Sequence, residues 1–130
     1  MQQQLHLYAQ RILGAPLNVT AAKDIGTIFA RHINDSLALL PLLPEEAFSL
    51  IDVGTGGGFP GLVLKIARPE IDLTLLDSTK KKLAFLEGLA AELDVSVTTV
   101  HARAERHTGR YDVVTARAVG DDRGSWRVLG

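Results

Sequence analysis

The residues with the clearest chemical potential lie in one run, Asp52-Val53-Gly54-Thr55-Gly56-Gly57-Gly58-Phe59-Pro60-Gly61. Five glycines fall within the eight residues from Gly54 to Gly61, more than a plain strand-to-helix turn requires. Glycine lets the backbone turn through positive φ, and it lets a ligand approach the main chain with no Cβ in the way. The segment follows a short apolar run, Leu50-Ile51-Asp52-Val53, and precedes a helical pattern from Pro60 to Ala67. That context is the one a nucleotide-binding loop needs. Gly56-Gly57-Gly58-Phe59-Pro60-Gly61 also satisfies the dinucleotide pattern G-x-G-x-x-G, so an NAD-dependent oxidoreductase is one reading. Asp77 ends the next apolar run, where a carboxylate can accept hydrogen bonds from ribose hydroxyls. It supports a nucleoside ligand without choosing which.

Asp52 shifts the balance. Placed two residues before Gly54, it makes an acidic-x-Gly-x-Gly-x-Gly arrangement, the glycine motif of Rossmann-like methyltransferases that bind S-adenosylmethionine. That cofactor has no pyrophosphate to seat at a helix N-terminus, and its cationic amino acid end benefits from a nearby carboxylate. Methyl transfer is therefore favoured over hydride transfer.

The elements that must position this loop follow from hydrophobic periodicity. From residue 48 the pattern runs strand, glycine loop, helix, strand: strands over 50–53, 71–76, 95–100 and 111–115, and helices over 60–67 and after Ser78, a candidate cap. Alternation of this kind predicts a parallel sheet with right-handed crossovers, an α/β Rossmann-like layer structure. Residues 2–43 read as helical, with Leu5, Tyr8, Ile12 and Leu13 at three- and four-residue spacing, and Ile25, Ile28, Phe29 and Ile33 likewise. Gly14-Ala15-Pro16 separates the two helices, Thr20 is a candidate N-cap for the second, and Asn34-Asp35-Ser36 reads as a break before a short turn stopped by Pro41. The chain thus divides into an N-terminal helical segment (1–47), a nucleotide-binding half-domain (48–119) and an atypical tail (120–130).

Composition bounds the alternatives. The 130 residues fit one domain, and 46% hydrophobic with 22% charged residues is a globular balance. Fourteen basic and fifteen acidic side chains leave a net charge of -1, which excludes a histone-like blanket of positive charge but allows a local patch. Cysteine is absent, which excludes disulfides, thiolate metal sites and a catalytic thiol. The four histidines show no metal-ligand spacing, so no metal is expected. No apolar run approaches a membrane span and no secretory signal opens the chain, so a cytoplasmic protein without membrane contact is the expectation.

With these motifs in view, the sequence resembles the bacterial 16S rRNA methyltransferase G family (RsmG, or GidB). The resemblance rests on the 52–61 loop, Thr74-Leu75-Leu76-Asp77-Ser78, Lys81-Lys82, Phe85-Leu86, the upstream Asn18-Val19-Thr20 and Arg31-His32-Ile33-Asn34-Asp35-Ser36-Leu37, and the downstream Arg103-Ala104-Glu105 and Tyr111–Ala118. It covers about residues 5–119. It implies a class I methyltransferase of three-layer sandwich type with N-terminal helices, transferring a methyl group from S-adenosylmethionine to guanosine N7 in 16S rRNA of the small ribosomal subunit. Carried over residue by residue, Gly54, Gly56, Gly58 and Phe59 would line the cofactor pocket. Asp77 would hold the ribose, Ala104 and Glu105 would flank the adenine, and Arg117 would complete the pocket. Guanine N7 has a free lone pair and no proton, so the implied reaction needs placement rather than a general base, and no catalytic residue is assigned.

The tail 120–130 does not resemble the family's next helix and strand. The expectation is an incomplete sheet of four strands with the fourth as an open edge, hence low stability, aggregation or dimerisation through that edge, and weak or absent activity. A noncatalytic nucleotide- or RNA-binding fragment is therefore a further reading. Lys80, Lys81 and Lys82 with Arg103, Arg106 and Arg110 are the best candidates for phosphate contacts, expected on one sheet edge. Arg31, His32, Asp35 and Ser36 read as a structural network, and Asp112 as a structural residue at the start of the fourth strand.

Overall fold

The structure is a computed structural model that describes residues 1–16, 22–117 and 126–129, with the backbone alone for 117 and 126–129. Thr20, the Asn18-Val19-Thr20 motif and positions 118–125 lie outside the described residues.

Helix α1 (Gln2–Leu13) turns Leu5, Tyr8, Ala9 and Ile12 inward, the three- and four-residue spacing that makes one face of a helix. A second helical stretch begins with α2 (Ile25–Thr27), capped by Asp24, whose Oδ1 accepts the Thr27 amide at 2.8 Å. It widens into a π-helical segment, Ile28–Ile33, and leaves through α3 (Asn34–Leu37). The break expected at Asn34-Asp35-Ser36 does not occur. A π-helix bonds each residue to the fifth one along, which brings Ile28 and Ile33 to the same buried side. Ser36 keeps its hydroxyl inside the helix, donating to the His32 carbonyl at 2.6 Å. Pro41 sits within a 3-10 turn, Leu40–Leu42, rather than stopping one.

The sheet has strand order β3-β2-β1-β4-β5, with β1 (Ser49–Val53), β2 (Asp72–Asp77), β3 (Thr98–His101) and β4 (Val113–Arg117) parallel. Helices α4 (Gly61–Ala67) and α5 (Lys80–Glu92) make the first two crossovers. Leu50, Leu73, Leu75 and Val113 point from the sheet into a core shared with Leu62, Leu64, Leu83 and Leu86, and α1 adds Leu5, Tyr8 and Ile12 to that same core. The N-terminal helices and the sheet thus bury one continuous hydrophobic cluster. From its first and last turns α1 is also tied to the end of α5, through Gln4 Nε2 to the Leu93 carbonyl (2.8 Å) and an exposed Arg11–Glu92 ion pair (3.0 Å).

Two features of the sheet matter for the site, the first of them a departure from expectation. First, β4 is not an open edge: β5 (Trp126–Leu129) pairs with it antiparallel, Arg117 opposite Trp126. Residues 126–129, three of the four apolar, meet a strand whose amides and carbonyls would otherwise lack ladder partners. Second, the chain leaves β3 on one flank and must pass β2 and β1 to reach β4. A right-handed crossover puts this 102–112 connection on the sheet face opposite α4 and α5. It carries only a 3-10 turn, Ala104–Arg106, and ends where Asp112 Oδ2 accepts the Ser49 amide at 2.9 Å, the structural role expected of Asp112. No helix among the described residues is long and apolar enough to cross a membrane.

Candidate functional site

Strand β1 lies where the chain's order reverses, with β2 on one side and β4 on the other. In open α/β sheets the carboxyl ends of strands around such a point frame a crevice. The loop leaving β1 enters it immediately. Gly54 and Thr55 donate their amides to the Leu76 carbonyl (2.8 and 3.1 Å), and the Gly56 amide reaches Asp77 Oδ2 at 2.9 Å. Gly54, Gly56 and Gly58 take φ of 69°, 53° and 89°, a left-handed backbone that side chains resist. Nothing lies within 4 Å of where a Cβ on Gly54 or Gly56 would sit, so the loop presents bare main chain to open space.

At Gly54 that space is a cleft of about 310 Å³. Val53, Gly54 and Leu76 form one wall, Ala102, Arg103, Ala104 and Glu105 the other, with Ser78 at the rim. Asp77 stands at the end of β2, 7% exposed, its Oδ1 also accepting the Thr79 amide at 2.8 Å. Each carboxylate oxygen holds two lone pairs, so acceptor capacity remains for a ligand hydroxyl. Ser78 is not the helix cap. Thr79 takes that position, and the Ser78 carbonyl instead meets His101 Nε2 at 3.0 Å.

Asp52 is turned away from the cleft. Alternation along β1 gives it the same face as Leu50, and it is fully buried. Its Oδ2 accepts from Thr55 Oγ1 (2.7 Å) and the Gly61 amide (3.1 Å), and its Oδ1 from Thr115 Oγ1 of β4 (3.0 Å). Burial pushes its carboxyl up to about 7, against the pull of those three donors. The carboxylate expected beside a cationic ligand end is therefore an internal brace, joining the loop, the start of α4 and β4.

Gly58 and Phe59 also sit behind the loop rather than in the cleft. Phe59 is 3% exposed and lies between two rings from the N-terminal helices, Tyr8 at 5.2 Å and His32 at 4.9 Å between centroids. A Cβ on Gly58 would come within 2.7 Å of the Tyr8 hydroxyl, which itself donates to the Gly57 carbonyl. Of the residues expected at the pocket, Gly54, Ala104 and Glu105 line the cleft, Gly56 and Asp77 are joined beside it, and Gly58 and Phe59 anchor it from the core. Arg117 closes β4, its side chain outside the described residues. His32 joins the structural arrangement expected of it, though through a ring stack. Tyr8, Thr55 and Thr115 were missed as site residues. Only Thr55 carried a local signal, its place inside the motif.

The basic residues divide. Lys80 and Lys81 are exposed at the start of α5, and Arg103 and Arg106 are exposed just past β3, all at the carboxyl edge. Arg103 and Arg106 border, with His101 and Ser78, a second cavity of about 450 Å³. Arg110 does not join them: it lies two residues before Asp112, which is bonded to the amino end of β1. Among the described residues, no group of three or more His, Asp or Glu side chains is placed to hold a metal.

Comparison with known proteins agrees with this architecture. The chain is 47% identical over 108 residues to a ribosomal RNA small subunit methyltransferase G of Acidiphilium cryptum, covering 81% of this chain and 50% of that protein. It is 42% identical over 110 residues to the one of Acetivibrio thermocellus (79% and 46% covered) and 46% identical over 114 residues to that of Sorangium cellulosum (80% and 47% covered). The chain spans about half the length of these curated relatives. Among solved structures it is similar to TehB from Haemophilus influenzae (TM-score 0.56, 20% identity, 67% of this chain and 30% of that one). It is also similar to the plantazolicin methyltransferase BpumL in complex with a triazolic desmethylPZN analog and SAH (TM-score 0.52, 18% identity, 87% and 46% covered). Both likenesses are of fold. A model of the family GidB, rRNA small subunit methyltransferase G, matches residues 1–124, and the chain belongs to that family.

Proposed function

We propose that the chain forms the S-adenosylmethionine-binding half of a cytoplasmic class I methyltransferase, a three-layer sandwich acting on guanosine N7 in 16S rRNA of the small ribosomal subunit. The observation that carries the reading is the cleft at the carboxyl edge of β1 and β2, with bare backbone at Gly54 and the Asp77 carboxylate beside it, in a chain of this family. The cleft's chemistry fits a nucleoside: an acceptor for ribose hydroxyls at Asp77, and a slot between Gly54 and the Ala104–Glu105 turn for the flat base. Gly56 would hold the loop to Asp77, Gly58 and Phe59 would hold it to the core, and Arg117 would enter from the end of β4.

When bound, the cofactor supplies a methyl group activated on a sulfonium. Guanine N7 offers a lone pair with no proton to remove, so the chain's residues act by orientation and by excluding alternatives rather than as acid or base. Lys80, Lys81, Arg103 and Arg106 would take RNA phosphates at the same edge. A dinucleotide fits less well. Its pyrophosphate would seek the start of α4, where the Asp52 carboxylate already holds the Gly61 amide.

Calorimetric titration with S-adenosylhomocysteine, with NADH as control, tests the cofactor. Micromolar binding of the former alone is the expected result, and binding of NADH instead would revive the oxidoreductase reading. Methyl transfer to N7 of small-subunit RNA tests the reaction. Cofactor binding without transfer would identify a noncatalytic binding unit.

A further inference from the structure

We infer that Tyr8 is a positioning residue for the cofactor loop: helix α1 reaches across the core and sets, through one hydroxyl, the conformation of Gly56-Gly57-Gly58. The inference rests on the cofactor reading above and adds to it a part for the N-terminal helices. Tyr8 is fully buried, and its Oη donates to the carbonyl of Gly57, 49 residues away. Gly57 stands between the Gly56 amide, held by Asp77 Oδ2, and Gly58, whose missing Cβ makes room for the same hydroxyl. The Tyr8 ring is fixed in turn by its near-parallel stack on Phe59 (9° between planes), which His32 covers on the other side. One side chain therefore meets three consecutive residues, Gly57, Gly58 and Phe59. Burial, with the Asp52 charge adding to it, holds the phenol well above its usual range, which favours the protonated, donating form.

The consequence is a division of labour. Asp77 holds the loop from the cleft side and Tyr8 from the core side. Without the hydroxyl, the Gly57 carbonyl is left inside the core short of its donor, and the peptide units flanking it gain reason to rotate. The same peptide is held on its other side by the Gly58 amide's bond to the Thr55 carbonyl (2.8 Å), so the loss loosens the Thr55–Gly58 turn and with it the Gly56 amide that Asp77 holds.

The test compares Tyr8→Phe with Ile12→Val, a mild change one turn further along the same buried face of α1. Both keep the helix docked and both lower Tm modestly. Tyr8→Phe is expected to raise the Kd for S-adenosylhomocysteine about tenfold and to speed hydrogen exchange at the Gly56 amide. Ile12→Val should leave both at wild-type values. Tyr8→Phe binding with wild-type Kd and wild-type Gly56 protection would overturn the inference while leaving the cofactor reading intact. Equal weakening by both variants would also overturn it, reducing Tyr8 to a packing residue. Failure of the wild-type chain to bind S-adenosylhomocysteine would overturn the cofactor reading and this inference with it.

Discussion

The Asp77 carboxylate grips the Gly56 amide at 2.9 Å, so the last residue of β2 holds the turn that follows β1. The same carboxylate fixes Thr79 at the head of α5. Replacing it should therefore remove the ribose acceptor and loosen the loop at once. Asp77→Ala is expected to weaken S-adenosylhomocysteine binding by at least about tenfold with the circular dichroism spectrum retained. Calorimetry beside far-ultraviolet dichroism checks it; unchanged affinity would remove Asp77 from the site.

The brace at Asp52 makes stability depend on pH. Its folded-state carboxyl titrates at about 7, above its ordinary value of 3.8, so the folded chain binds the extra proton between those limits. Its contribution is fully present below about pH 4 and is lost as pH rises through about 7. Across that window it should lower unfolding free energy by up to about 1.4 kcal/mol per pH unit. Asp52→Asn, which cannot titrate, should flatten that part of the curve and shift the mean by about 1–3 kcal/mol through the altered bonds to Thr55, Gly61 and Thr115. Urea melts of both proteins from pH 4 to 8 decide it, and parallel slopes would refute the assignment.

Two glycines of the loop should fail in different ways. A Cβ on Gly61 would meet Asp52 Cβ at 2.8 Å and Oδ2 at 2.9 Å, so Gly61→Ala is expected to cost about 1–3 kcal/mol of stability. Gly54→Ala meets no atom but must adopt φ of 69°, costing about 1–2 kcal/mol, and its methyl would project into open space at the cleft. Gly54→Ala should lose ligand affinity beyond its loss of Tm, whereas Gly61→Ala should lose mainly Tm. Thermal melts paired with titrations separate them.

Salt should reveal which basic residues face RNA. Lys80→Ala, Lys81→Ala, Arg103→Ala and Arg106→Ala are each expected to reduce the slope of log K against log salt by about one for binding to small-subunit RNA. Arg110→Ala, on the other sheet edge, should leave the slope unchanged. Filter binding over a salt series measures it, and an Arg110 effect equal to the others would contradict the proposed edge.

Much of this was readable beforehand, for local reasons. β1, β2, α4 and α5 announce themselves because apolar runs there are punctuated by glycine, proline and aspartate within a few residues. Even the inward turn of Asp52 follows from its place two residues after Leu50, although its chemistry suggested a ligand instead. The helix through Asn34–Leu37 was hidden because three polar residues look like a break when the π turn before them is unseen. β5 was hidden because a strand exists only with its partner, and β4 is what makes 126–129 a strand. Arg110 misled for a similar reason: closeness in sequence to Arg106 says nothing once the connection crosses the whole sheet. Tyr8 shows the limit most plainly. Its spacing predicts burial, but no local pattern says that its hydroxyl finds Gly57.

The ties that hold α1 have a thermodynamic meaning. Gln4 and Arg11 fasten the helix to the end of α5, and Tyr8 fastens it to the loop. If Tyr8 positions the loop as inferred, a molecule with α1 undocked would lack the core-side support, and only the docked fraction would be ready for a ligand. The apparent dissociation constant then equals the intrinsic one divided by that fraction. On the proposed reading affinity would be a gauge of helix docking, and by reciprocity a bound nucleoside would slow the exchange of amides in α1.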